Sequence, residues 1–287
     1  GAGSSCGKNM GPETFSTIGE QKKTNYALQP QSKEDFIAAV TKGLGIAPKY
    51  FAINARINMQ GYESLDTVLE RGHKALTAEN FEMVANETNA LVLDTRNATD
   101  FANGFIPNSI NIGLDGSFAQ WVGEMIPDIK QEILLVCNPG YEDEAMIRLS
   151  RVGYDGSIGY LEGGFDAWKK AGKEVDTVKR ITAEQFATIH ENEKPLTIDI
   201  RKKSEFQSQH ITDAVNIPLN EINNHLAEFP KDKPFILHCA GGYRSMIAAS
   251  MLKQRGWDNF SDVIGGFTEI AKTNVPKSEY ICPSTML

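Results

Sequence analysis

Two cysteines stand at matching points of two matching stretches. Cys239 lies in residues 235–245 (FILHCAGGYRS), and Cys137 lies in residues 133–143 (ILLVCNPGYED). The first stretch reads as a buried strand, a tight loop and a helix. Its glycines let successive backbone N–H groups turn inward. The helix that follows points its positive N-terminal end at the same spot. Arg244 closes the loop with a permanent positive charge. A cysteine in that field is favoured as the thiolate, which is the reactive form. Cys239 is therefore the expected nucleophile and Arg244 its charged partner. Ala240, Gly241, Gly242, Tyr243 and Ser245 form the expected substrate-binding loop. The bland alternative is an inert buried thiol beside a helix-starting arginine. Loop glycines, arginine and position together favour chemistry.

The second cysteine keeps its place and loses its setting. Glu142 stands where the first loop has Arg244, with Asp143 and Glu144 behind it. Carboxylates this close raise a thiol's pKa and repel an anionic reactant. Phe105 stands where the other stretch has His210. The Cys137 loop is read as degenerate, and its surroundings as a scaffold. Cys282, in the C-terminal stretch, and Cys6, in a glycine-rich stretch, read as exposed thiols; a folded-back Cys282 that resolves chemistry at Cys239 is the alternative. His238 reads as a strand residue packed behind the loop. His73, His190 and His225 show no ligand partners at metal spacing, so no metal site is expected.

The elements that position both loops repeat. Residues 76–81 (LTAENF) return as 181–186 (ITAEQF), Asp94 and Arg96 as Asp199 and Arg201, and Asn111 as Asn216. Residues 163–165 (GGF) return as 265–267. The offset is 105 residues through Asn111 and 102 from Cys137 on, which marks a short insertion in the first copy. A period of that size is a duplicated domain. In the first copy, strands are expected over 90–94, 109–112, 132–136 and 158–160, with helices over 142–152 and 164–171. The second copy has strands over 196–199, 214–217, 235–238 and 261–263, a helix over 244–255 and another after Gly266. This alternation predicts α/β folding, each copy an open, mostly parallel sheet with helices on both faces. Ligands of such sheets sit at the C-terminal ends of strands, where both cysteines fall. Helices are expected over 33–44 and 65–71, and an apolar element over 50–53.

Both copies resemble rhodanese domains, the thiosulfate sulfurtransferase family. The second matches along its length: Asp199, Arg201, Glu205-Phe206, His210-Ile211, Asp213-Ala214, residues 216–218, the Cys239 loop and residues 265–267. The resemblance implies that Cys239 attacks a sulfane sulfur and carries it as a persulfide until a second nucleophile removes it. A small-molecule sulfur donor and a thiol acceptor are the implied partners, with a sulfur relay through Cys137 as the alternative to a pure scaffold. Four residues separate Cys239 from Arg244. Phosphatases of similar fold use a loop one residue longer, so the size favours sulfur over phosphate. Because both copies keep Asp199-Arg201 and residues 265–267, these read as framework. Residues 1–8 (GAGSSCGK) and 16–25 (STIGEQKKTN) resemble the tail of a metallo-β-lactamase-fold persulfide dioxygenase. That resemblance implies a parent protein whose missing N-terminal domain holds non-haem iron or zinc, with this chain a fragment lacking the metal ligands and itself needing no cofactor.

The expected layout is an N-terminal, mainly helical segment over 1–70, a degenerate rhodanese-like domain over 74–176, an active one over 179–276 and a tail over 277–287. The 287 residues carry 29 basic and 37 acidic side chains, net −8, with no basic stripe, which argues against nucleic acid as partner. No apolar run reaches the length of a membrane helix. Four cysteines in so long a chain make no disulfide framework, and a cytoplasmic setting is expected. Two functions are consistent with these features: a turnover sulfurtransferase, or a sulfur-carrier and docking module of a persulfide dioxygenase.

Overall fold

The computed structural model describes residues 15–41 and 50–282. Cys6 and the glycine-rich start lie outside the described residues. The chain divides into two compact units. The first carries α1 (Ile18–Thr24), a 3-10 turn and α2 (Lys33–Thr41). The second begins with α3 (Tyr50–Gln60) and α4 (Leu65–Gly72) and contains both copies.

Copy one runs β1 (Ala75–Leu76), α5 (Ala78–Glu87), β2 (Leu91–Asp94), α6 (Ala98–Asn103), β3 (Ile110–Asn111), α7 (Phe118–Met125), β4 (Ile133–Val136), α8 (Glu142–Ser150), β5 (Ser157–Leu161) and α9 (Gly164–Lys170). Copy two runs β6 (Arg180–Ile181), α10 (Ala183–Glu193), β7 (Leu196–Asp199), α11 (Lys203–Ser208), β8 (Val215–Asn216), β9 (Phe235–His238), α12 (Tyr243–Gln254), β10 (Phe260–Val263) and α13 (Gly266–Ile270). The sheets have orders β1-β5-β4-β2-β3 and β6-β10-β9-β7-β8, and every pairing is parallel. The two-residue edge strands β1 and β6 were not expected from sequence, whereas the equally short edge strands β3 and β8 were.

The repeated motifs have local causes. Thr77 and Thr182 are helix N-caps, accepting from Asn80 and Gln185 N–H, and Phe81 and Phe186 lock the first turns into the core. Along β4, Ile133 and Leu135 face one cluster while Leu134 and Val136 face another, and all four are fully buried. Burial on both faces explains the unbroken apolar run; each such side chain contributes roughly 2 kcal/mol. The short insertion in copy one falls in the region of α7, where copy two has only 3-10 turns at Leu219–Asn224 and Leu226–Glu228.

The apolar element expected over 50–53 is the start of the helix α3. Tyr50 packs so closely on Gly123 of α7 that a Cβ there would stand 2.2 Å from the ring. Gly72, closing α4, leaves no room for a side chain beside Met146 and Ser157. Packing of the first copy therefore begins at Tyr50. One hydrophobic cluster runs through both copies, from Ile112 and Trp121 to Leu219, Met246 and Met251. Within it α12 lies between its own sheet and β3, whose Asn111 N–H donates to Ser250 Oγ at 3.0 Å.

Candidate active site

Cys239 directly follows β9 and is 1% exposed. The Gly242 N–H donates to its Sγ at 3.1 Å. Gly242 has φ +102°, a left-handed conformation that glycine adopts without strain. Gly241 differs from expectation: a Cβ there meets nothing within 4 Å, and its φ is not left-handed. One glycine, not two, shapes the cradle.

The loop is held from beneath. Phe267 N–H donates to the Cys239 carbonyl at 2.7 Å, and Thr268 N–H and Oγ1 donate to the Ala240 carbonyl at 3.0 and 2.9 Å. Gly266 makes this possible, since a Cβ would stand 2.4 Å from the Cys239 oxygen. Ser245 is buried and gives its hydroxyl to the Gly242 carbonyl at 3.2 Å. It braces the loop from inside instead of facing a substrate. Tyr243 also turns away, its hydroxyl donating to Gly113 of copy one at 2.7 Å.

Arg244 has a partner the sequence reading missed. Its two terminal nitrogens donate to both carboxylate oxygens of Glu205, at 2.6 and 2.8 Å. Burial works against both charges, but the pair outweighs it, holding Glu205 below and Arg244 above their ordinary ranges. The fork expected to orient a donor is thus engaged at its outer face. The sequence carries no clear signal for the pair: copy one keeps an acid, Asp100, at the Glu205 position although Glu142 replaces Arg244.

The framework residues form one turn network per copy. Arg201 pairs with Asp199, donates to the Gln209 carbonyl and lies 3.9 Å over the Phe267 ring. Arg96 does the same with Asp94, Gly104 and Phe165. Asn216 and Asn111 each tie the two carbonyls of that turn. His238 is fully buried, and its Nε2 finds no hydrogen-bond partner, standing 3.9 Å from Asp199. Burial holds the imidazole below its usual range. His210 stacks on Phe206 as Phe105 stacks on Phe101.

Beneath Ser245 lies a second unanticipated pair. Asp262 of β10 is fully buried and accepts from Arg180 of β6 at 3.1 Å. Burial pushes its carboxyl up to about 6, with Ser245 and Arg180 pulling the other way. At the matching register copy one pairs Ala75 with Tyr160.

The Cys137 loop is wired differently. The Gly140 N–H, equivalent to that of Gly242, donates at 2.8 Å to the carboxylate of Glu142. Burial first, and then Glu142 and Asp94, push the Cys137 thiol up to about 12 against a hydrogen bond with Thr95. Cys282 is exposed, on a tail tied to α11 by Ile281–Ser208 hydrogen bonds. His225 stands 2.5 Å from Glu228 and 3.8 Å from Glu221, and His73 stands 3.8 Å from Asp143. Among the described residues no group of three or more His, Cys, Asp or Glu could hold a metal ion. No described helix is long and apolar enough to cross a membrane.

Two parallel five-stranded sheets, each with a cysteine loop after its central strand, define tandem domains of one kind. The rhodanese-like domain model matches residues 77–171 and 182–273, and the chain belongs to that family. It is 34% identical over 99 residues to the thiosulfate sulfurtransferase GlpE of Pseudomonas syringae pv. syringae, covering 34% of this chain and 92% of that protein. It is 36% identical over 90 residues to the uncharacterized protein YqhL of Bacillus subtilis, covering 31% of this chain and 70% of that one. Among solved structures, thiosulfate sulfurtransferase from Pseudomonas aeruginosa matches over 76% of this chain and 48% of that one, at 19% identity and TM-score 0.32.

Proposed function

We propose that the chain is a sulfurtransferase in which Cys239 carries sulfane sulfur as a persulfide. The observation that carries this reading is the Gly242 N–H on Cys239 Sγ at the positive end of the twelve-residue helix α12. With thiosulfate, the thiolate attacks the sulfane sulfur, the S–S bond breaks and sulfite leaves with the electron pair. An acceptor thiolate then takes the outer sulfur as its own persulfide and returns Cys239 as thiolate. The loop amide and the helix end stabilise negative charge at both stages. Copy one performs no turnover in this reading.

The Arg244–Glu205 pair favours a second reading. A guanidinium already neutralised by a carboxylate attracts a dianionic donor weakly, so the loop suits low-molecular-weight persulfides and a carrier role. The proposed partner is then a persulfide dioxygenase domain, as residues 1–70 suggest. Iron or zinc belonging to such a domain finds no ligand set among the described residues, and no step here passes through it.

Mass spectrometry of the Cys239 peptide after incubation with thiosulfate or glutathione persulfide, followed by turnover with a cyanide or thiol acceptor, tests both. An added sulfur atom on Cys239 with multiple turnovers is expected. Loading without turnover favours the carrier, and no loading from either donor sinks both. Arg244→Lys keeps the charge and loses the fork; a loss of about tenfold confined to thiosulfate would restore Arg244 as the donor-orienting group.

A further inference from the structure

Tyr243 is the first residue of α12, directly after Gly242 of the Cys239 cradle. Its counterpart in copy one, Tyr141, is 51% exposed. Tyr243 instead leaves its own domain. Besides its hydroxyl bond to Gly113, its ring lies on Gly116, where a Cβ would stand 2.3 Å from it. Gly116 has no left-handed φ, so the missing side chain makes room for the ring and serves no turn.

The seat is itself held. Arg148 of α8 donates to the Leu114 carbonyl at 2.6 Å and the Gly116 carbonyl at 3.1 Å, while pairing with Glu144 and lying over Phe118. Other contacts reach copy two from the same side. Gln254 of α12 donates to the Asn108 carbonyl, and Arg180 donates to Thr99 Oγ1.

We propose that copy one is a brace for the catalytic loop: its 113–116 turn fixes Tyr243, and through it the Gly242 N–H that holds Cys239. Tyr243 is then a positioning residue that touches no substrate. This gives the degenerate copy a task that needs no reactive Cys137. The effect should fall on turnover, because misplacing reacting groups by an ångström costs up to about a hundredfold while ground-state binding barely changes.

The kinetic arm rests on the sulfur-transfer reading; a second arm does not. The test compares Tyr243→Phe, Gly116→Val, Tyr243→Ala and the Gly116→Val/Tyr243→Ala double variant in the full chain. One readout is kcat and KM with thiosulfate or glutathione persulfide, whichever supports turnover. The other is amide hydrogen exchange in peptides spanning 239–246. Gly116→Val should lower kcat about tenfold with KM within about twofold, and should speed exchange in the loop. Tyr243→Phe keeps the ring and should cost about threefold, which separates loss of the hydroxyl bond from misfolding. In the Tyr243→Ala background Gly116→Val should add nothing, because the valine fills the space the ring left. Multiplying losses in the double variant, or wild-type kcat and exchange in both Gly116→Val and Tyr243→Phe, would overturn the brace. If wild type transfers no sulfur, the functional reading falls and loop exchange alone decides the brace: faster exchange in Gly116→Val supports it, and unchanged exchange refutes it.

Discussion

The two cysteine loops use one backbone N–H for opposite ends. In copy two the N–H of Gly242 donates to the Cys239 sulfur; in copy one that of Gly140 donates to the Glu142 carboxylate. The strands before the loops are equally buried, and each loop sits over a pair of left-handed glycines. Fold therefore does not separate the loops. A carboxylate three atoms long, placed where copy two has Arg244, captures the amide that would otherwise serve a thiolate. The cradle is a shared device, and in copy one Glu142 holds its amide.

The largest effect expected from this contrast falls on the thiols. Cys239→Ser should lower sulfur transfer by about a thousandfold or more, to background, while Cys137→Ser stays within about twofold of wild type. Steady-state rates with one donor and one acceptor decide it; equal losses from the two substitutions break the comparison. Next come the glycines beneath the loops. Gly266 (φ +54°) and Gly164 (φ +63°) would place a Cβ 2.4 Å from the Cys239 oxygen and 2.7 Å from the Cys137 oxygen. Alanine at either should cost roughly 2–4 kcal/mol of stability in thermal or urea unfolding. Only Gly266→Ala should also lower turnover of the folded fraction, by about tenfold or more. Comparable turnover in the two variants would show that the loop carbonyl contacts do not position Cys239.

Much of this architecture was legible because the chain contains its own comparison. The repeat, at offsets of 105 and 102 residues, exposed Asp199-Arg201 and residues 265–267 as framework, and the Asp–Arg pair and the Arg–Phe stacking recur in both copies. Buried strands such as 133–136 announced themselves by unbroken apolar runs. The edge strands β1 and β6 did not, although β3 and β8, equally short, were expected. The Glu205 partner of Arg244 was not visible, because copy one keeps a carboxylate at that place, Asp100, and changes sign only at Glu142. The role of Tyr243 was not visible at all, because Tyr141 matches it and only the packing of one copy on the other separates the two. The first glycine of the Cys239 loop misled: composition suggested a conformational need at Gly241 that its φ does not show.

A smaller effect is expected from converting one loop toward the other. Burial is the largest cause of the raised Cys137 pKa, and Glu142 contributes less. Glu142→Arg should therefore lower the alkylation midpoint of Cys137 from about 12 without bringing it near neutrality. In a Cys239→Ser background the same substitution should leave sulfur transfer at background. Measurable turnover from Cys137 in that double variant would show that the carboxylate, not burial, silences copy one.

The last expected effect, on stability alone, concerns the pair that copy two places where copy one has Ala75 and Tyr160. Asp262 is fully buried beneath Ser245, and its carboxyl is raised from an ordinary 3.8 to about 6. A carboxyl raised by folding binds its proton more tightly in the native state. Its contribution to stability is thus fully present below pH 3.8 and is lost as pH rises through about 6. The size of that loss is on the order of 2–3 kcal/mol. Asp262→Asn removes this titration, so wild type should lose stability relative to the variant between about pH 4 and pH 6, and the difference should be flat above that window. Urea unfolding of both proteins at several pH values measures it. A wild-type-minus-variant difference that rises with pH would mean that Arg180 governs Asp262 more strongly than burial does. The carboxylate would then be a charged strut under the Cys239 loop with no counterpart in copy one.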